Sequence, residues 1–245
     1  MNKITRISIN SHLCDVVRFG EINFQQIKHF ILELCKGLED PTYFITDDID
    51  TELPFLLKEK YGLVYGILCG NNIIALQAID YDRNKTLNFH ELLGIGKSNN
   101  IMEVGWAMVD TLYRGQNLSV YLSNLLEQAA YKETCNEICV ATVHPKNTSS
   151  LFLFLKLGYI GVKLTCHYNV IRLIMTKKLN SHFPIDPTQE TIIVKDDDYN
   201  QQTQLTENGY VCYGAFVEQK SVFLNFVKKN CNALPTTRGL ASGGA

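Results

Sequence analysis

Apolar positions recur along the chain with two periods, and the switches between them outline a fold. In residues 22–36, Ile22, Ile27, Phe30, Ile31 and Leu34 fall at helical spacing. A second short helix is expected around Thr51–Lys60, after the turn-rich DDID. Two strand-like runs then flank Gly70-Asn71-Asn72, residue types that accept positive φ, so LVYGILCGNNIIALQAID reads as a hairpin. Residues 84–100 read as a polar loop with a helical turn at HELLG. The run IMEVGWAMV at 101–109 alternates with period two. Its even positions, Met102, Val104, Trp106 and Met108, are large and apolar and are expected to share one core-facing side. The odd positions, among them Glu103, Gly105 and Ala107, fill little space, which suits a strand with a cleft on that side.

VDTLYRGQNLS follows, with a turn at Arg114-Gly115. From Asn117 to about Lys132 a helix is expected, with Leu118, Leu122, Leu125 and Ala129 as its apolar stripe. A buried strand at 137–143, an apolar helix at 148–157 closed by Gly158, and strands near 159–168 and 169–177 complete a domain ending near Leu179. This order defines an α/β class with a mixed (α+β) sheet. Residues 180–190, with two prolines, read as a linker. Beyond it come strands at TIIVK and YVCYGAFV, a loop at DDDYNQQTQ, a helix at 222–230 and a small-residue tail expected to be disordered. A segment of about 60 residues makes a poor core of its own, so this small β/α extension, 180–245, is expected to dock on residues 1–179.

Composition narrows the function classes. The 245 residues are 46% hydrophobic and 20% charged, as in an ordinary globular protein, and a net charge of −2 argues against nucleic acid or an anionic membrane as partner. No apolar run approaches the roughly 18–20 residues that span a bilayer. The N-terminus lacks the apolar core of a signal peptide, so a cytoplasmic protein is expected. The eight cysteines form no CxxC pair, and Cys135 and Cys139 have no accompanying ligands at metal spacing. They read as free thiols, and no metal is expected.

The Arg-Gly turn carries the chemistry. A helix N-terminus presents unpaired N–H groups and the positive end of the macrodipole, so it holds anions, phosphates above all. Arg114 adds a charged donor, and Gly115 lets the backbone approach closely. Such junctions are common, but this one has a specific setting: a strand, YRGQNLS, a leucine-rich helix, a strand, then NTSSLFLFLKLGY. Over roughly residues 10–179 that order resembles the GNAT superfamily of N-acetyltransferases.

The resemblance implies a GNAT-like acyl-CoA N-acyltransferase fold, acetyl-CoA as co-substrate and no metal. In the family's coenzyme loop, (Q/R)xxGx(G/A), the first position is Arg114, the glycine is Asn117 and the last is Ser119. With Gly115, Gln116 and Leu118 these would hold the pyrophosphate. Asparagine is the residue next most tolerant of left-handed backbone after glycine, so the turn is expected to survive. Met108 and Val109 would lend backbone groups to the pantetheine and thioester. Asn147, which opens a second motif with Ser150, Lys156, Gly158 and Tyr159, would contact the pantetheine arm.

Glu103 takes the place of the carboxylate that accepts the amine's proton, often through water. Many relatives carry an acidic tyrosine seven residues after the motif asparagine, and here that position is Phe154, which has no proton to donate. Tyr159 is taken as the replacement acid, with Tyr168 and Tyr113 as alternatives. His144 and His167 read as structural. The acceptor would be a small-molecule amine or a peptide or protein amine, the chain a monomer or homodimer, and the extension a wall of the acceptor cleft. A coenzyme-binding or interaction module that has lost catalysis remains the alternative.

Overall fold

The computed structural model describes residues 1–44, 49–81, 89–95, 101–167, 169–179 and 189–229. Its strands are β1 Asn2–Ile9, β2 His12–Arg18, β3 Gly62–Cys69, β4 Asn72–Asp80, β5 Ile101–Val109, β6 Ile138–Val143, β7 Ile160–His167, β8 Val170–Lys178, β9 Ile192–Lys195, β10 Tyr210–Glu218 and β11 Ser221–Lys228. The helices are α1 Phe24–Lys36, α2 Ile49–Leu56, α3 Phe89–Leu93, α4 Leu118–Thr134, α5 Thr148–Lys156 and α6 Tyr199–Glu207. All eleven strands join one mixed sheet, in the order β1-β2-β3-β4-β5-β6-β8-β7-β10-β11-β9. Among the described residues only β5 and β6 pair in parallel, and a parallel pair needs a crossover, which α4 supplies. No helix among the described residues is long and apolar enough to cross a membrane.

Gly70, at φ +61, turns β3 into β4 as its composition predicts. Two other hairpins turn without glycine. Asn10 and Ser11 (φ 48 and 67) join β1 to β2, and Gln219 and Lys220 (φ 47 and 68) join β10 to β11.

One face of the sheet packs on α1 and α2, with Ile27, Ile31, Leu53 and Leu56 buried against Val64, Leu68 and Leu76. Ile22 lies in a short helical turn before α1 and is exposed, outside the expected stripe. The larger core gathers α4 and α5, where Leu122, Leu126 and Leu151 are fully buried. The buried stripe of α4 therefore runs through Leu126 and Ala130, with Leu125 and Ala129 on its flank, and it includes Ser123 and Glu127. Apolar periodicity cannot register polar residues whose burial depends on partners elsewhere in the chain. Ser123 donates to Gln77 Oε1 at 2.9 Å. Glu127 accepts from the Tyr159 hydroxyl at 2.8 Å and from Lys177 Nζ at 2.7 Å.

Strand β5 departs from its expected alternation. Ala78 pairs with Gly105 and Leu76 with Met108, so Trp106 and Ala107 together oppose Gln77 in a β-bulge. Met102 and Val104 reach the α4 core, whereas Trp106 and Met108 join the α1–α2 core on the other face. A period-two pattern read straight through a bulge assigns everything beyond it to the wrong side.

Beyond β8 the chain continues the same sheet. Cys212 pairs with Gly161 of β7, and β9 closes the far edge on β11. The expected loop at DDDYNQQTQ is largely α6. Asp198 caps it by accepting from the Gln201 N–H, and only Gln202 and Thr206 are buried, so the helix has no apolar stripe to detect. The expected helix at 222–230 is β11, whose buried Val222, Leu224 and Phe226 alternate with period two. The proposed linker falls mostly at 180–188, and the tail at 234–245, outside the described residues.

Candidate functional site

The parallel pairing of β5 with β6 covers only Ile101–Glu103 against Ile138–Val140. Past that point β5 runs on to Val109 and β6 to Val143 with no ladder between them, so the sheet opens into a V. A cavity of about 720 Å³ fills the opening. Val104 to Val109 form one wall, Thr142 and Val143 the other, and the starts of α4 and α5 close the head. The facing edges offer unpaired strand backbone, to which an extended amide-bearing chain can bond as an added strand does.

The Arg114 turn has the geometry an anion site needs. Gly115 is left-handed at φ +79 and Asn117 at φ +58, ψ +23, so asparagine does adopt the glycine-like conformation. Asn117 makes no side-chain cap to α4. Its Oδ1 instead accepts from Lys156 Nζ at 2.8 Å, which places a second cation beside Arg114. Leu118, Ser119 and Val120 line the cavity at the uncapped helix start. Arg114 is exposed and donates from Nε to the Val109 carbonyl at 3.3 Å.

Asn147 caps α5 by accepting from the Ser150 N–H at 3.2 Å, and its Nδ2 donates to the Tyr43 carbonyl at 3.5 Å. It thereby joins the β6–α5 junction to the segment after α1.

The coenzyme residues read from the sequence come together on this wall: Met108, Val109, Arg114, Gly115, Asn117, Leu118, Ser119 and Asn147 all line the cavity, whereas Gln116 does not. The two catalytic candidates stand apart from it. Tyr159 is fully buried, with its hydroxyl bonded to Glu127, and burial pushes its phenol far above the usual range, so it is corrected to a core residue. Glu103 is half-buried and immediately precedes Val104, where the lined stretch of β5 begins. Phe154 lines the cavity and meets Tyr159 edge-on at 5.0 Å. Tyr43 and Tyr113 are the phenols on the wall among the described residues. The neighbouring Cys69 thiol holds the pKa of Tyr113 above the usual value. Tyr168 and the His167 side chain lie outside the described residues. His144 accepts from the Lys146 N–H on Nδ1 and packs against Tyr43, a structural arrangement.

Glu39, Tyr43, Phe44 and Trp106 are among the wall residues that carried no sequence signal for the site. Trp106 holds φ +53, a strained conformation for so bulky a residue, of order 1–3 kcal/mol. Only the bulge turns its ring into the cleft. No residue of the described stretch 189–229 lines the cavity, though Asp196 lies close enough to Tyr43 on its wall to raise that phenol's pKa.

No protein-family model matches the sequence, and no curated protein does. The structure is similar to ribosomal-protein-S5-alanine acetyltransferase from Vibrio fischeri, with TM-score 0.53 and 16% identity over 74% of this chain and 100% of that one. It is also similar to an acetyltransferase of the GNAT family from Streptococcus pneumoniae, with TM-score 0.51 and 12% identity over 68% of this chain and 99% of that one. Arabidopsis thaliana NAA60 in complex with a bisubstrate analogue gives TM-score 0.54 and 8% identity over 68% and 98% of the two chains. The chain has the fold of the GNAT N-acetyltransferases, with further strands added beyond β8.

If the turn holds the pyrophosphate, Arg114→Ala should weaken acetyl-CoA binding about ten- to a hundred-fold, the worth of one charge-assisted phosphate contact. Titration calorimetry reads this directly, and unchanged affinity would remove Arg114 from the site.

Proposed function

We propose that the chain is an acetyl-CoA-dependent N-acyltransferase that works by direct attack within a ternary complex. The observation that carries this reading is the β5–β6 opening with the uncapped, doubly cationic α4 turn at its head. The turn would take the pyrophosphate and the V the pantetheine, leaving the thioester beside the Trp106–Ala107 bulge. There strand N–H groups between Ala107 and Val109 would stabilise the oxyanion. The amine nitrogen would bond to the acetyl carbonyl carbon as the carbon–sulfur bond breaks. The ammonium proton would pass through water to Glu103, because an ammonium has no lone pair with which to attack. The departing thiolate would be protonated by water or by Tyr43, the wall phenol next to Phe44, whose ring meets that of Trp106 in the bulge. Holding both reactants in one cleft supplies much of the rate by positioning.

Phe154 on the wall favours a second reading, a coenzyme-binding module without turnover. Release of free coenzyme A thiol from acetyl-CoA across a panel of amines decides between them. Under the leading reading, Glu103→Gln should slow release about a hundred-fold with the KM for acetyl-CoA unchanged. Coenzyme binding with no thiol release from any amine would establish the module.

A further inference from the structure

The cavity has a second end, away from the phosphate turn. Trp106 lies three residues back along β5 from Val109, roughly 10 Å at about 3.3 Å per residue, and there the walls change character. Leu34, Leu38 and Glu39 come from the end of α1 and the turn beyond it, and Tyr43 and Phe44 from the segment that follows. The rings of Phe44 and Trp106 meet edge to face, 6.0 Å apart at 69°. Tyr43 is held by His144, ring centroids 5.2 Å apart. Glu39 is exposed at the rim and is the one carboxylate on the wall among the described residues, with Lys146 nearby on the same wall.

We propose that this end binds a primary amine joined by a short linker to an aromatic ring. The ring would pack against Trp106, Phe44 and Tyr43, and the ammonium would be drawn by Glu39. The inference rests on reading the other end as the acetyl-CoA site, since that fixes where the acceptor enters. Aromatic walls favour a flat ring because offset and edge contacts add to simple burial, and an ammonium near an indole face gains further attraction. A polycationic amine would meet the like charge of Lys146, and Asp40 and Asp196, close enough to Tyr43 to raise its pKa, stand off the lined wall. A flexible aliphatic amine would fill the space without the ring geometry.

Trp106 is the only tryptophan in the chain, so its fluorescence reports occupancy without turnover. Titration with 4-nitrophenethylamine, a quencher, in the presence of coenzyme A should give saturable quenching. Phenethylamine should reverse it, whereas hexylamine and spermidine at equal concentration should not. Phe44→Leu should weaken binding about ten-fold. Glu39→Gln, at an exposed position that folding does not need, should weaken it about two- to five-fold. Absence of saturable quenching overturns the proposal, as does equal competition by spermidine or hexylamine, or unchanged affinity in both variants. Saturable quenching without thiol release would end the transferase reading and leave the aromatic-amine site standing. Thiol release with aliphatic amines alone would do the reverse.

Discussion

A chain ending at Leu179 should fail to form a stable monomer. The segment beyond β8 does not rest on a finished domain; it supplies part of its core. Val194, Val222, Leu224 and Phe226 are buried in the same cluster as Leu122, Leu151 and Phe154. At about 1.5–3 kcal/mol for each such side chain, these four contribute about 6–12 kcal/mol, comparable with the whole stability of a typical domain, about 5–15 kcal/mol. Truncation would also open the outer edge of β7 and remove Thr206, which accepts the Leu164 N–H. An open strand edge with apolar neighbours invites association. Size-exclusion chromatography and thermal melting by circular dichroism should therefore show aggregation or loss of the cooperative transition. A truncated monomer melting with the full chain would show the extension to be a separate appendage. Because residues 189–229 do not line the cavity, any damage should reach coenzyme and amine together rather than the amine alone.

Glu127→Leu should be the most damaging single substitution at the α4 interface. Glu127 is 2% exposed and accepts from both Lys177 and Tyr159, and Lys177 also lies 5.5 Å over the Tyr159 ring. Without the carboxylate, an ammonium and a phenolic hydroxyl remain under the helix with no acceptor in place. Breaking one side of a buried pair costs about 3–5 kcal/mol. In a chain of this size that lowers the melting temperature by roughly 6–20 °C. The double variant Glu127→Leu, Lys177→Met should recover much of the loss, because a buried pair and well-packed apolar residues are often close in energy. Thermal melting of the three proteins tests both halves. A single variant as stable as the parent would show that the network contributes nothing.

This network also explains why Tyr159 is not the missing acid. From the sequence it is a tyrosine at a motif position beside a helix end. Whether its hydroxyl faces a cleft or a carboxylate depends on Glu127 and Lys177, which lie 32 and 18 positions away along the chain in opposite directions. Tyr43, a phenol that does line the wall, comes from a segment with no motif.

What the sequence determined alone is local. The Gly70 hairpin, the left-handed Asn117 turn, the Asn147 cap and Gly158 after α5 each follow from the backbone preference of one residue and its immediate neighbours. The coenzyme wall was legible for that reason: it is a strand, a turn and two helix starts, contiguous apart from the α4–β6 crossover. Tertiary structure decided the rest. The bulge at Trp106 and Ala107 arises only where β5 meets β4, and it moves Trp106 from the expected core face into the cleft. The polar α6 and the strand β11 hold their conformations through the sheet they join, where glycine-free turns and a helix without an apolar stripe leave little local mark. The acceptor end draws on α1, the segment after it and β5. Its aromatic walls are ordinary hydrophobic residues until the splay of β5 from β6 leaves them a space to face, because cleft walls depend on packing between distant segments and not on any local preference.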